Sequence, residues 1–521
     1  MSFWTPKHLE TITKGRWLVE PVEPRCRLAG VNTDSRTIAP GQVFVAITGE
    51  HFDGHDFVDT AADGGAAMAI VSRPVNRPAV AALLVEDTVA ALQDLARAYR
   101  DVLRDMNTKV IAVAGSNGKT TTRHMIHTVL SAKYRGTQSP GSFNNHLGVP
   151  LSLLAASPEH DFVVVEIGTN HPGEVAALAD IVRPDAAVIT SVGEEHLEFF
   201  DTVENVAIEE ASVLAFVEPG GMAAIEEHAF CDFELHSKND QCLIHHPVTG
   251  KQVTFGTFYC SLDKIEIMSY GSGMCSMKLA MQWDDQIIER TVDGFGYRFR
   301  IDNWQYEVPL LGRPNAVSAT GAIALAQWMG VSKSKIAEAL QHLCPMPMRM
   351  EPVVFAGPTH SRESVILIND AYNANPSSMR AAIEELRPAR NAWGERRIVA
   401  ILGDMLELGR REVELHRGIA DDPCANAVNV WITVGSLARH IADAVSEKWH
   451  LDHEANSHRG MQAPQVHSFD SWSDDLPQTV TALLQPGDAV LLKASRGMRL
   501  ERLVPAIERR FDQRQPAHAG R

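Results

Sequence analysis

Val110-Ile111-Ala112-Val113-Ala114-Gly115-Ser116-Asn117-Gly118-Lys119-Thr120-Thr121-Thr122 is the stretch on which the fold turns. Val110 to Ala114 is a short, apolar, β-branched run bounded by polar residues, the pattern of a central strand in a parallel sheet. Gly115 and Gly118 allow a tight turn that brings backbone N–H groups close to a ligand. Lys119 adds a positive charge at the start of a helix, where the helix dipole already favours an anion. Thr120 places a hydroxyl where a phosphate-bound Mg²⁺ would sit. The G-x-x-G-K-T-T run, set between a strand and a helix, therefore reads as a nucleotide-phosphate loop. A plain strand-to-helix turn with a surface lysine is the other reading.

The bulk properties limit what the rest of the chain can be. At 521 residues it should hold two to four domains with large cores. Hydrophobic residues make up 45% and charged residues 22%, as in ordinary globular proteins. A net charge of -17 argues against a nucleic-acid or anionic-membrane surface. The seven cysteines form no C-x-x-C pair, so reduced cytosolic thiols are expected rather than zinc or a disulfide framework. Met1 to Lys7 lacks a cationic region followed by an apolar run, and no apolar stretch reaches about 18 residues. A cytoplasmic protein without signal peptide or membrane insertion is expected.

In chain order, Val43 to Ile47, Ala67 to Val71 and Ala82 to Val85 read as strands of a first α/β unit, closed by a helix from Thr88 to Leu103. After the phosphate loop and its helix (Thr121 to Ser131), Asn144 and Asn145 lie in a Gly/Pro-bounded loop, where turn formation competes with ligand binding. Asp161 to Gly168 is a buried strand with Glu166 at its C-terminal end, the edge that faces the ligand crevice in a parallel sheet. Glu166 can therefore serve the same Mg²⁺ as Thr120. The strand Ala186 to Thr190 is followed by Glu194, Glu195, His196 and Glu198, which makes His196 a metal-ligand candidate. Thr202 to Phe216 reads as one helix. From His228 to Trp304 short alternating segments suggest a β-rich elaboration, with Cys231, Cys242, Cys260 and Cys275 expected to pack within it. Helices follow at Ala316 to Met329 and Lys333 to Leu343. A hinge at Cys344 to Arg349 then leads to a third βαβ series, where polar groups gather after Ile368, Leu402 and Leu492. The tail from Gln513 to Arg521 reads as disordered.

In this order the motifs resemble the Mur ligase family over roughly Val31 to Val504. They include Asp34-Ser35-Arg36, Gly41 to Ala46, Asp53-Gly54-His55, the phosphate loop, Asn144 to Pro150, Glu166 to Glu174 and His196-Leu197-Glu198. Tyr372-Asn373-Ala374-Asn375-Pro376 and Gly403 to Gly409, with the asparagine pair, place the resemblance in the dipeptide-adding branch. They set it apart from the diaminopimelate- or lysine-adding relative and from folylpolyglutamate synthase.

The resemblance implies an α/β protein of three domains: an N-terminal UDP-substrate-binding domain (1–106), a central P-loop ATP-binding domain with a parallel sheet and the β-rich elaboration (107–346), and a C-terminal Rossmann-like ligase domain (347–521). It also implies an ATP-dependent amide-bond-forming ligase of peptidoglycan precursor synthesis, using ATP and one or two Mg²⁺ ions. Its partners would be UDP-N-acetylmuramoyl-tripeptide and D-alanyl-D-alanine, and a monomer is expected. By the same resemblance Lys119, Glu166, His196 and Arg349 are the catalytic candidates. Gly115, Ser116, Asn117, Gly118, Lys119, Thr120, Thr121, Asn315, Arg349 and Asp370 would contact ATP. Ser35 and Arg36 would hold the UDP end, and Asn144, Asn145, Asn170 and His171 the peptide side. Tyr372, Asn373 and Asn375 would face either the incoming dipeptide or ATP. Thr120, Glu166 and His196 would meet the metal. Glu210 stands where the family usually carries a carbamylated lysine, so it either replaces that ligand or is a solvated helix glutamate. Pro314, Met348, Ser191 and Glu195 also depart from the usual residues. Other readings are a Mur ligase adding a diamino acid, or a degenerate nucleotide-binding paralogue with a regulatory role.

Overall fold

The computed structural model describes residues 3–75, 79–226, 229, 234–238, 241–245, 252–254, 266–271, 280–282, 289–290, 295–301, 303–355, 361, 363–394, 396–451 and 462–511. Three larger sheets follow one another along the chain. The first has five strands in the order Arg16–Val19, Ala81–Leu84, Met68–Val71, Val43–Val45 and Val31–Asn32, with only Arg16–Val19 antiparallel. Its helix Thr88–Asp105 starts at Asp87, whose carboxylate accepts from the Val89 and Ala90 amides at 2.7 and 3.0 Å. This helix joins the first sheet to the second. Its buried Arg100 donates to the carbonyls of Val182 and Arg183, both at 2.9 Å, and to Asp185 at 2.8 Å. One apolar core therefore runs from Leu9 and Val43 through Leu92 and Leu95 to Val110 and Val163.

The second sheet has seven parallel strands: Ala280–Gln282, Glu266–Gly271, Met222–Glu226, Ala186–Ile189, Lys109–Ala114, Phe162–Glu166 and Gly136–Gln138. Lys109–Ala114 is buried along almost its whole length and lies between Ala186–Ile189 and Phe162–Glu166. The phosphate loop, Thr190 and Glu166 thus share one sheet edge. The loop's helix spans Lys119–Ser131, two residues earlier than its sequence pattern suggests, and packs against Arg313–Trp328. The expected helix over Thr202 to Phe216 divides into Val203–Ala211 and a 3₁₀ turn, Ser212–Phe216.

The stretch from His228 to Trp304 is β-rich as expected, and part of it belongs to the central sheet itself. Glu266–Gly271 pairs in parallel with Met222–Glu226, and Ala280–Gln282 extends that edge. Such brief segments, outside any strong periodicity, get their partners from tertiary context rather than local pattern. Two antiparallel three-stranded sheets account for Glu234–Lys238, Gln241–His245 and Gln252–Thr254, and for Glu289–Arg290, Tyr297–Ile301 and Trp304–Val308. Cys231, Cys260, Cys275, the side chain of Cys242 and the tail from Gln513 lie outside the described residues.

The third large sheet orders six strands as Glu351–Phe355, Val365–Asp370, Ala489–Lys493, Ile398–Gly403, Val430–Val434 and Gln465–Phe469, antiparallel only at Glu351–Phe355. Val365–Asp370, Ala489–Lys493 and Ile398–Gly403 lie side by side, so the polar residues after them share an edge. Helix Pro376–Ala392 leaves that edge toward the phosphate loop.

Candidate functional site

A cavity of about 1180 Å³ lies between the three sheets, and the loop residues Ser116 to Thr121 form one wall. Gly115 holds φ +118, and a Cβ there would lie 2.4 Å from Thr190 Oγ1, so only glycine fits. The first half of the loop spends its amides on the protein. Gly115 N–H donates to Glu210 at 2.6 Å, Ser116 N–H to the Ser191 carbonyl at 2.8 Å, and Asn117 N–H to Ser191 Oγ at 2.9 Å. The amides from Gly118 to Thr121 open the helix and have no intrahelical acceptor, so they are the ones offered to a phosphate. Lys119 folds back onto the Gly115 and Ser116 carbonyls.

Three buried carboxylates surround this lysine. Glu195 comes within 3.9 Å of its ammonium, and Glu166 and Glu210 act at longer range. Burial opposes the charged ammonium, but Glu195, Glu210 and Glu166 together outweigh it and hold Lys119 above the usual lysine range. Burial pushes Glu210 up to about 8, against the pull of Lys119 and of the Gly115 amide. Glu210 is fully enclosed beneath the loop and does not line the cavity. Its neighbour Glu209 faces elsewhere and accepts from the Gly173 and Val175 amides at 2.7 and 2.8 Å.

Glu166 accepts from Asn144 Nδ2 at 3.0 Å and lies 3.7 Å from the buried Arg123 guanidinium. Among the described residues, Glu166 Oε2, Glu195 Oε1 and Glu210 Oε1 are buried without a hydrogen-bond partner. Also among them, no three His, Cys, Asp or Glu side chains form a ready metal cage. The donor set is therefore incomplete for an ion alone and fits one that arrives with phosphate oxygens. His196 also lines the cavity. Its Nδ1 pairs with Glu407, which leaves Nε2 to accept or ligate.

The C-terminal domain forms the opposite wall. Arg349 donates to Thr120 Oγ1 at 2.8 Å and stacks over Tyr372 with 3.9 Å to the ring centroid. Tyr372 also meets Ser142 through its hydroxyl. Asp370 lines the cavity but is anchored by Lys493 at 2.6 Å and by the Met350 amide at 3.0 Å. Asn373 is exposed on the cavity wall, and its carbonyl accepts from Lys493 at 3.0 Å. Asn315 lines the wall beside Pro314, its amide donated to the Leu311 carbonyl at 2.7 Å.

The structure does not gather every candidate in one place. Asn144, Asn145, Asn170 and His171 line the cavity. Asn145, however, uses its side-chain oxygen to cap the Leu147 and Gly148 amides, and His171 packs against Phe199 with ring centroids 4.2 Å apart. Ser35 and Arg36 are not among the cavity-lining residues, and Arg36 is paired with Asp34 at 2.7 Å. Asn375 is buried and directed at the Asn117 side chain, not at the cavity. Glu195, Arg123, Ser142, Lys493 and Glu407 join the site without having been singled out for it. Glu407 lies within the Gly403 to Gly409 motif, which was its only sequence signal.

Comparison with known proteins agrees with this arrangement. Family models described as Mur ligase family catalytic domain, Mur ligase middle domain, and Mur ligase glutamate ligase domain match residues 27–100, 113–326 and 348–496. The UDP-N-acetylmuramoyl-tripeptide–D-alanyl-D-alanine ligase of Bacillus subtilis is 33% identical, over 96% of this chain and 97% of its own. The Escherichia coli protein of the same name is 31% identical over 80% and 83%. A crystal structure of MurF from Acinetobacter baumannii superposes with a TM-score of 0.77 at 27% identity, covering 97% of this chain and 99% of that one. Three family models in sequence order, near-complete likeness to such relatives and a phosphate loop facing a second α/β domain lead to one assignment: the chain belongs to the Mur ligase family.

Proposed function

We propose that this protein is a cytoplasmic, monomeric ATP-dependent ligase that joins D-alanyl-D-alanine to UDP-N-acetylmuramoyl-tripeptide. The observation that carries the reading is the full-length likeness to relatives named for that reaction, with Lys119, Glu166, His196 and Arg349 all on one cavity. A carboxylate is a poor electrophile at neutral pH. The tripeptide carboxylate therefore attacks the γ-phosphorus of ATP, ADP departs, and an acyl phosphate forms. The dipeptide amine then adds to the acyl carbon, and the tetrahedral adduct collapses with loss of phosphate and of the amine proton.

Two anions must approach each other in the first step. The amides from Gly118 to Thr121 orient the phosphates, while Lys119 and Arg349 offset the repulsion and stabilise charge moving onto the bridging oxygen. Lys119 must exchange its loop carbonyls for phosphate oxygens as it does so. Magnesium, when bound, screens the phosphate charge and makes phosphorus more electrophilic, with Thr120, Glu166 and His196 as the residues to hold it. Glu210 serves the loop through Gly115 N–H. Asn315 and Asp370 serve the nucleotide. Asn144, Asn170 and His171 serve the peptide, and Tyr372 and Asn373 the incoming amine. Ser35 and Arg36 take the uridine diphosphate end.

The test is phosphate release by the purified protein with ATP, magnesium, UDP-N-acetylmuramoyl-tripeptide and D-alanyl-D-alanine. Release should require all four. Release driven by a diamino acid and the dipeptide precursor, but not by D-alanyl-D-alanine, would replace this reading with the diamino-acid-adding one.

A further inference from the structure

Asn117 commits its backbone and its side chain to different parts of the protein. The backbone stays in the central domain: its N–H donates to Ser191 Oγ at 2.9 Å, and its carbonyl accepts from Thr190. The side chain crosses to the C-terminal domain. Its Nδ2 donates to Ser377 Oγ at 3.1 Å, and its Oδ1 accepts from Asn375 Nδ2 at 2.9 Å. Ser377 Oγ in turn donates to Asn375 Oδ1 at 3.0 Å, closing a ring of three side chains. Asn375 Oδ1 also accepts from the Ser378 amide at 2.8 Å and so caps helix Pro376–Ala392.

The same helix grips the central domain twice more. Arg380 pairs with Glu194 at 2.8 Å, and buried Glu385 accepts from the Tyr297 hydroxyl at 2.6 and 2.7 Å and from the Arg313 amide at 3.2 Å. Ser377, Arg380 and Glu385 spread over about 140° of the helix circumference and about two turns of its length, so the helix is fixed in both rotation and register over the loop. Gly193 closes the junction, where a Cβ would come 2.8 Å from Ser377 Oγ.

We propose that Asn117 is a positioning residue. Its side chain ties the phosphate loop to the cap of helix Pro376–Ala392 and thereby sets Arg349 and Tyr372 in register with the loop amides. Its kinetic consequence rests on the ligase reading; the tie between the domains does not. Phosphate meets the amides from Gly118 to Thr121, so the side chain of Asn117 acts on the domains and not on nucleotide affinity.

The experiment compares Asn117→Ala, Ser377→Ala, their double variant and the wedge Gly193→Ala in the full chain. Asn117→Ala and Ser377→Ala, each of which removes two of the three bonds in the ring, should lower kcat at least about tenfold, and the Gly193→Ala wedge should lower it in the same direction. The double variant should fall no further than Asn117→Ala, which already removes both bonds between the domains, and ADP affinity should stay within about twofold. Small-angle X-ray scattering without ligand should show a larger radius of gyration for all four variants. Wild-type kcat and scattering in Asn117→Ala would overturn the proposal. So would a double-variant loss equal to the product of the singles, or loss of ADP binding, which would place Asn117 in the phosphate site. A wild-type protein that scatters as a docked particle, opens in the variants and releases no phosphate would sink the ligase reading and leave the tie standing.

Discussion

Replacing Glu210 by glutamine tests how the floor of the phosphate loop is built. Glu210 is fully buried, accepts the Gly115 amide at 2.6 Å, and has a second oxygen without a partner among the described residues. Burial raises its pKa from 4.5 to about 8. The unfolded chain ionises this group above about pH 4.5, whereas the folded protein keeps it protonated until about pH 8, so folding takes up a proton across that interval. The sign follows: stability falls as pH rises through the window, by about 1.4 kcal/mol per unit at its middle. From pH 5.5 to 7.5 the loss from this one group is about 2–3 kcal/mol. Glutamine keeps an acceptor for the Gly115 amide and has no proton to exchange. The assay is thermal unfolding of wild type and Glu210→Gln at both pH values, without nucleotide or magnesium. Relative to the variant, wild type should lose roughly 5–10 °C over those two units, taking about 2–4 °C per kcal/mol for a unit of this size. Parallel pH profiles would refute the reasoning and show that Glu210 is ionised beneath the loop at neutral pH.

Buried His416 should act in the opposite direction. Its Nδ1 donates to the Glu412 carbonyl at 2.6 Å and its Nε2 accepts the Met405 amide at 2.9 Å, while burial holds its pKa below the usual histidine value. The stability it gives is therefore lost as pH falls below about 6.5, and His416→Asn should flatten the acid limb of the melting curve. Arg349→Ala should lower kcat about 100-fold, and Arg349→Lys should restore only part, because lysine cannot both donate to Thr120 and stack as a plane on Tyr372. Steady-state kinetics with saturating ATP decides this. Chelating magnesium should weaken ATP binding at least tenfold by calorimetry, since among the described residues no carboxylate cluster stands ready to hold an ion by itself.

The parts of the site legible in the sequence are those whose chemistry is local. A β-branched run, a glycine turn and a lysine-led helix specify the phosphate loop within 13 residues. Glu166 follows from the rule that strand C-termini face the crevice. Glu195 was visible only as an odd residue before His196; its burial against Lys119 depends on how the loop after Ala186–Ile189 folds back. Asn117 and Asn375 each sit in a recognisable motif, but nothing local says that their side chains meet. The pairing of Tyr297 with Glu385 carries no pattern at all, because it joins a strand to a helix in another domain. Glu266–Gly271 and Ala280–Gln282 were equally hidden, being short segments of which the first joins the central sheet through the distant Met222–Glu226 and the second only through the first.

Charge links these local and distant parts. Glu166, Glu195 and Glu210 bring three buried carboxyls to the loop, and Lys119, Arg123 and Arg349 bring three cations. Without nucleotide the two sets answer each other: Lys119 stays charged because Glu195 is near, and burial keeps the proton on Glu210. A nucleotide changes this balance, since Lys119 and Arg349 cannot face phosphate and continue to compensate the carboxyls to the same degree. The carboxylates then need another cation, and Glu166 and Glu195, each with an oxygen that lacks a hydrogen-bond partner among the described residues, line the cavity. On the ligase reading proposed above, magnesium would therefore enter with the nucleotide. The same argument requires the C-terminal domain to be docked before chemistry, because Arg349 is the only one of the three cations that lies outside the central domain. Holding that domain in register thus sets the charge of the reacting centre as well as its shape.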